Sequence, residues 1–109
     1  MRQAKVIYKD EEAGLLTQLE DGSFVFRYHD AWINDTNKPP VSLTFPKNQQ
    51  EYQSEFLFPF FYNMLPEGAN KQLVCHALRI DKADHFGILL NTATHDTIGA
   101  VRVIKLDNV

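Results

Sequence analysis

FLFPFFYNMLPEG, residues 56 to 68, packs more apolar bulk into a short span than any other stretch of this 109-residue chain. Its rings are Phe56, Phe58, Phe60, Phe61 and Tyr62, joined by Leu57, Met64 and Leu65 ahead of a Pro66-Glu67-Gly68 stop. If the segment is helical from Pro59 onward, Phe61 and Leu65 share one face at i, i+4, and Phe60 and Met64 share the adjacent one. That apolar arc is wider than the roughly 100° stripe a single core-facing helix needs. Either other elements wrap the helix on several sides, or part of it is a docking surface. A proline is tolerated in a first helical turn, so the helix starts near Phe58, or near Ser54 with a kink at Pro59. Pro66 ends it.

Upstream of this stretch the pattern is that of strands. Val6-Ile7-Tyr8 begins one, and the charged run Lys9 to Glu12 marks its end. Leu15 to Leu19 forms the second, and Asp21-Gly22 between two apolar runs predicts a two-residue turn with both central residues at positive φ. The returning strand Ser23 to Tyr28 alternates, with Phe24, Phe26 and Tyr28 on one face. His29 to Ile33 is expected to make one helical turn that tucks Trp32 against the sheet. Val41 to Phe45 alternates as a short strand with Val41, Leu43 and Phe45 inward, and Lys47 to Gln53 is a loop or a frayed lead-in to the central helix.

Downstream, a helix from about Ala69 to Arg79 places Ala69, Leu73 and Ala77 on one face with Val74 and Leu78 beside them. Its last turn carries His76 and Arg79, which suits the negative end of the helix dipole. Asp81 or Asp84 caps a third helix containing Phe86, Ile88, Leu89 and Leu90. After the polar loop from Asn91 to Asp96, residues Thr97 to Leu106 form a last strand. Strands, then helices, then one strand predict an α+β fold: a mainly antiparallel sheet, N-terminal meander plus C-terminal strand, with two or three helices packed on it.

Length allows one domain over residues 1–109 with one modest core. A net charge of -3 supplies no overall basic field for a phosphate backbone, so direct nucleic-acid binding is not expected. No run approaches the ~18 apolar residues of a membrane span, and the chain reads as cytoplasmic. The one cysteine, Cys75, cannot form an internal disulfide and sits in a helical pattern as a buried structural thiol. Phosphate-binding glycine patterns are lacking, and His29, His76, His85 and His95 show no metal-ligand spacing. Carboxylate neighbours such as Asp81 with Asp84 are explained by capping. The residues alone point to no catalytic group, no cofactor and no metal. A small hydrolase using Cys75 or the His95-Asp96 pair is the reading from another class.

Two blocks carry a family resemblance. Phe60-Phe61-Tyr62-Asn63-Met64-Leu65-Pro66-Glu67-Gly68 resembles the F-F-x-N-L-L-P-E/D-x motif of the N-terminal subdomain of HipA-type serine/threonine kinases. Asp84-His85-Phe86-Gly87-Ile88-Leu89-Leu90, with His95-Asp96-Thr97-Ile98-Gly99-Ala100-Val101, is similar to that subdomain's closing block. Thr94 departs from the family's usual glycine, and the chain ends where a full-length kinase would continue. In that respect it resembles HipS, the small component of tripartite HipBST toxin-antitoxin systems. The resemblance implies a non-enzymatic, antitoxin-like protein that binds and neutralises a HipA-family (HipT-like) kinase lacking this subdomain, near its active-site cleft. A HipB-like helix-turn-helix DNA-binding protein would be a third component of the complex. Phe61, Tyr62, Asn63, Met64 and Glu67 are the implied partner-binding residues. The alternative is an accessory subunit that completes a split kinase and supports its activity.

Overall fold

The structure, a computed structural model, describes residues 2–66, 68–92 and 100–106. In chain order these form β1 (Arg2–Tyr8), β2 (Glu11–Gln18), β3 (Phe24–Tyr28), α1 (Asp30–Ile33), β4 (Glu51–Ser54), α2 (Pro59–Tyr62), α3 (Gly68–Leu78), α4 (His85–Thr92) and β5 (Val101–Leu106). The sheet is antiparallel throughout, in the order β4-β3-β2-β1-β5. Two hairpins put β2 between β1 and β3, and β4 then takes the outer edge of β3. That leaves the free edge of β1 for the last strand, so the expected α+β meander closed by a C-terminal strand is what the chain forms. Of the four helices, α1 and α2 are single turns.

The hairpin turns differ from expectation. Asp21-Gly22 is not a two-residue turn: Gly22 N–H donates to the Leu19 carbonyl at 3.0 Å and Leu19 N–H to the Ser23 carbonyl at 2.8 Å. Only Gly22, at φ 90°, is left-handed there, so the connection is a three-residue loop whose last residue sits in the glycine position. The two-residue turn with both residues at positive φ lies instead at Lys9 and Asp10 (φ 47° and 70°), between the paired Tyr8 and Glu11. Asp10 tolerates this backbone and takes a 2.8 Å hydrogen bond from Arg102, while Lys9 N–H donates to the Ala100 carbonyl at 3.0 Å. Charge in that stretch disguised a turn as a simple strand end.

One face of the sheet carries the core. Cross-strand register aligns Ala4, Leu16, Phe26 and Tyr52 in one row and Val103, Val6, Gly14 and Tyr28 in the next. Most of these side chains are buried against α2 and α4. The opposite face leaves Lys5, Leu15, Thr17 and Val25 partly exposed and Arg27 exposed, with ion pairs Lys5–Glu12 (3.7 Å) and Arg27–Glu51 (3.6 Å). An antiparallel sheet tolerates this one-sided arrangement. Trp32 is tucked in as expected: its indole N–H donates to the Pro39 carbonyl at 2.9 Å, and its ring meets Tyr8 edge to face at 5.7 Å.

Residues 41–45 are a turn and not a strand. Phe45 N–H donates to the Ser42 carbonyl at 3.0 Å, so Val41 and Phe45 face inward while Leu43 points away, 95% exposed. Part of the segment taken as loop or helix lead-in is edge strand β4. Tyr28 organises this region from below. Its buried hydroxyl donates to the Phe45 carbonyl at 2.6 Å and accepts from Val41 N–H at 3.0 Å, satisfying two backbone groups that no strand partner reaches.

Burial pushes the Tyr28 hydroxyl up to about 12. Its protonated form is therefore favoured by folding, and the stability it supplies is complete below the unfolded phenol value of roughly 10 and declines as pH rises above that. Tyr28→Phe should cost about 1–3 kcal/mol at neutral pH, because two buried backbone groups lose their partner. Urea titrations at pH 7 and above pH 10 should show that loss, together with a shallower alkaline decline in the variant.

Candidate partner-binding surface

The family motif occupies α2 and the turns after it. Phe58 is the N-cap residue, Pro59 takes the first helical position, where a missing N–H has no cost, and Asn63 closes the turn. Of the two predicted starts, the one near Phe58 is correct. Hydrogen bonds from Met64 N–H to the Phe61 carbonyl (3.0 Å) and from Leu65 N–H to the Tyr62 carbonyl (3.1 Å) carry the chain on in tight turns to Pro66. This coiling alternates inward and outward side chains over a very short span.

Phe61 is the inward pin. It is fully enclosed, with ring centroids 5.9 Å from Phe26, 5.8 Å from Phe45, 6.3 Å from Phe58 and 5.1 Å from Phe60. Met64 and Leu65 are buried with it. Phe61 and Met64, expected among the direct contacts, are therefore not on the surface of this domain. Their surface is already consumed in the core, and the sheet does wrap this stretch on several sides. Tyr62, 45% exposed, and Asn63, also exposed, face solvent. Glu67 and the His95-Asp96 pair lie outside the described residues. Phe56, 76% exposed, adds an outward ring that the sequence reading did not select.

Tyr62 has two neighbours of consequence. Its ring meets His85 edge to face at 5.1 Å, and it lines a cleft with Leu65, Pro66, Gly68 and Lys71. His85 is held there because it opens α4, whose start is fixed by Asp84. The Asp84 carboxylate accepts Gly87 N–H at 3.1 Å as a helix cap, and it also takes two bonds from the Arg2 guanidinium at 2.7 and 3.1 Å. Arg2 bonds Gln18 as well, and its guanidinium lies 5.2 Å from the centroid of the Phe86 ring. A Cβ at 87 would stand 2.3 Å from Asp84 Oδ2, so a larger residue there would push the Asp84 carboxylate out of its place. Asp84 is thus the predicted cap, while its partner from the far end of the chain was not visible in local sequence.

The Arg2 hydrogen bonds hold the Asp84 carboxyl below the usual carboxylate value, outweighing the opposing desolvation by burial, and the Gly87 cap bond acts in the same sense as Arg2. This contribution is complete above the unfolded carboxylate value of roughly 3.9 and is lost as pH falls through the depressed folded one. Asp84→Ala should cost about 0.5–2 kcal/mol through the lost cap. Asp84→Asn keeps a capping oxygen and should cost less at pH 7 while flattening the acid limb of the stability profile. Thermal melts of both variants between pH 2.5 and 7 check the two effects separately.

The chemistry of the remaining groups is sparse. Cys75 is buried and unpaired, as expected of a structural thiol. His29 pairs with Glu12 and Lys38 with Glu11, both at the surface. Among the described residues no group of three His, Cys, Asp or Glu side chains could hold a metal ion. Cleft, rings and sheet together define a small α+β domain with an aromatic surface at Tyr62 and Phe56.

That domain has a known kind. The chain matches the HipA N-terminal domain over residues 4–104, and it belongs to that family. A solved structure titled "N-terminal domain of HipA toxin" superposes with a TM-score of 0.72 at 34% identity, covering 100% of this chain and 96% of that one. A Haemophilus influenzae protein named "Uncharacterized protein" is 35% identical over 103 residues, 94% of this chain and 92% of its own length. Two Sinorhizobium fredii proteins, "Putative kinase Y4mE" and "Putative kinase Y4dM", are 32% and 30% identical. The alignments take in 86% and 85% of this chain but only 22% and 24% of those proteins.

Proposed function

We propose that this protein is a non-catalytic, antitoxin-like binding subunit that docks on a HipA-type serine/threonine kinase lacking this subdomain and restrains it. The observation that carries the reading is the match to about a quarter of two kinase-named proteins by a chain whose conspicuous surface feature is exposed aromatic and apolar side chains. A domain of this kind reaches its kinase through a non-covalent interface, and such interfaces rest on a few aromatic anchors. Tyr62 is the anchor, and Asn63 and Glu67 contribute further contacts. Phe61 and Met64 act through it, by fixing the turn that presents it. Seated near the nucleotide or substrate cleft, the domain would block entry or lobe closure without making or breaking a bond.

The setting is the cytoplasm, with a HipB-like helix-turn-helix protein as a third component. No helix among the described residues is long and apolar enough to cross a membrane. A second reading, an accessory subunit that supports the kinase, is favoured by the fact that the kinase-named relatives carry the equivalent segment within their own chains.

Growth on co-expression with the truncated kinase of the same genome separates the two. Rescue of growth is expected, and deeper toxicity would establish the accessory role instead. In a pull-down with that kinase, Tyr62→Ala should weaken capture by roughly tenfold while its melting temperature stays near wild type, as expected for a hot-spot ring half in solvent.

A further inference from the structure

We propose that the cleft at the start of α4 is a socket for an arginine side chain of the same HipA-type kinase, with the Phe56 ring as its platform and Glu55 and Asp21 as its carboxylate partners. This rests on the function proposed above and adds to Tyr62 a second contact that selects for charge. The cleft measures about 440 Å³, within the range of roughly 300–1,000 Å³ usual for binding sites. The β2–β3 loop supplies Asp21, the residues just after β4 supply Glu55 and Phe56, and α4 supplies His85. Phe24 and Phe86, buried and edge to face at 5.8 Å, line it as well. Phe56 is 76% exposed although the next two residues, Leu57 and Phe58, are buried, and it makes no ring contact among the described residues. An exposed phenyl ring by itself says little. This one stands in a cleft whose rim is charged.

Charge selects the occupant. Asp21, Glu55 and Asp84 all line the cleft, and among the described residues no lysine or arginine does. Asp84 is paired with Arg2. The exposed Glu55 side chain has neither an ion pair nor a hydrogen bond with any described residue. Asp21 Oδ1 accepts the Ser23 N–H at 2.9 Å and the Ser23 hydroxyl at 2.6 Å, which holds the carboxylate in place without cancelling its charge. Neighbouring residues do not reverse the sign. Glu20 adds a negative charge, and Asp81 and Lys82 offset each other, Lys82 lining a separate cleft with Leu73 and Cys75. Two carboxylates without a cationic partner thus border a cleft with an uncovered ring, and a cation is their electrostatic complement.

The domain's own Arg2 shows which cation such groups hold. Its guanidinium gives two bonds to Asp84, at 2.7 and 3.1 Å, and lies 5.2 Å from the centroid of Phe86, and both of those residues line this cleft. The carboxylate takes the fork of N–H groups and the ring takes the charge. Glu55, Asp21 and Phe56 offer the same two kinds of group. A lysine ammonium, a compact and strongly hydrated charge, would gain less from the ring. Among the described residues no three acid, histidine or cysteine side chains could hold a metal ion, so the cation is a side chain. The acidic rim repels phosphate, which disfavours nucleic acid and anionic lipid. A second copy has little to give, since Arg2, Arg27 and Arg102 are held by Asp84, Glu51 and Asp10, leaving Arg79. Continuity favours the kinase: His85 lines the cleft and its ring meets Tyr62 at 5.1 Å, so both contacts fall on one surface.

The test uses the full chain and the truncated HipA-type kinase of the same genome, with affinity measured by calorimetry at two salt concentrations. Phe56→Ala should weaken binding about tenfold, and Phe56→Leu, which keeps apolar bulk but no ring, nearly as much. Asp21→Asn with Glu55→Gln keeps the side-chain sizes and an oxygen for Ser23. It should weaken binding about tenfold at low salt and less at high salt. Leu43→Ala, at an exposed side chain elsewhere, should leave affinity unchanged. Melting temperatures should stay near wild type, because all of these side chains are exposed. When the arginines of the kinase are replaced singly by alanine, one replacement should weaken binding to the wild-type chain by a similar factor and add nothing to Phe56→Ala. A loss of less than about threefold in the ring or the carboxylate variants, an equal loss in Leu43→Ala, or a coupling that falls on a lysine or on no arginine overturns the inference. That holds even where Tyr62→Ala still weakens binding and the proposed function stands. Dimers in sedimentation that depend on Phe56 and Arg79 would also overturn it, by naming a second copy as the occupant. No binding of the wild-type chain to the kinase overturns both.

Discussion

The enclosure of Phe61 by four other rings is the contact on which the rest of this structure depends. Phe26 comes from the middle of the sheet, Phe45 from an irregular turn, and Phe58 and Phe60 from the residues around α2, so one side chain ties three separate parts of the chain together. Offset and edge-on contacts of this kind add to the area term. Their geometric effect matters more here. With Phe61 fixed, a four-residue helix too short to persist alone is held against the sheet, and its next two side chains have no direction left but outward.

A second tie acts at the other end of the same face. Arg2 stands on the first strand and Asp84 at the start of α4, so a charge-assisted pair spans most of the sequence and seats the helix that carries His85. Exposed ion pairs contribute little as a rule. This one is reinforced because its carboxylate is also a helix cap and its guanidinium lies near the Phe86 ring. Together the two ties fix Tyr62 and His85 from opposite directions. Their contact is therefore set from both sides, each side chain standing on a pinned element.

Between those ties, α3 is the exception. It has a well-formed C-terminal ending but little core: Cys75 is buried and Val74 partly so, while Leu73 and Leu78 face water. In a domain of this size each large apolar side chain left outside is a sizeable fraction of the available hydrophobic stabilisation. The same contrast separates the motif's two halves: Phe61, Met64 and Leu65 serve the fold, and Tyr62 and Asn63 are free to serve a partner.

Local patterning narrowed the start of α2 to Phe58 or Ser54 and the cap of α4 to Asp81 or Asp84, which the structure then decided for Phe58 and Asp84. It was sufficient to read the strands of the meander and the single turn carrying Trp32, because each is decided by neighbours within four residues. The α+β class and the family motif were legible for the same reason. What local pattern could not decide was allegiance. An apolar periodicity on 69–78 says which side chains share a face, not whether that face is covered, and the structure leaves Leu73 and Leu78 exposed. Phe61 and Met64 look as much like interface as core until the sheet closes over them. The alternation of 41–45 is equally consistent with a strand until Tyr28, brought up from β3, supplies the hydrogen bonds that make it a turn. Side-chain direction in those places is set by long-range closure, and only the tertiary structure contains it.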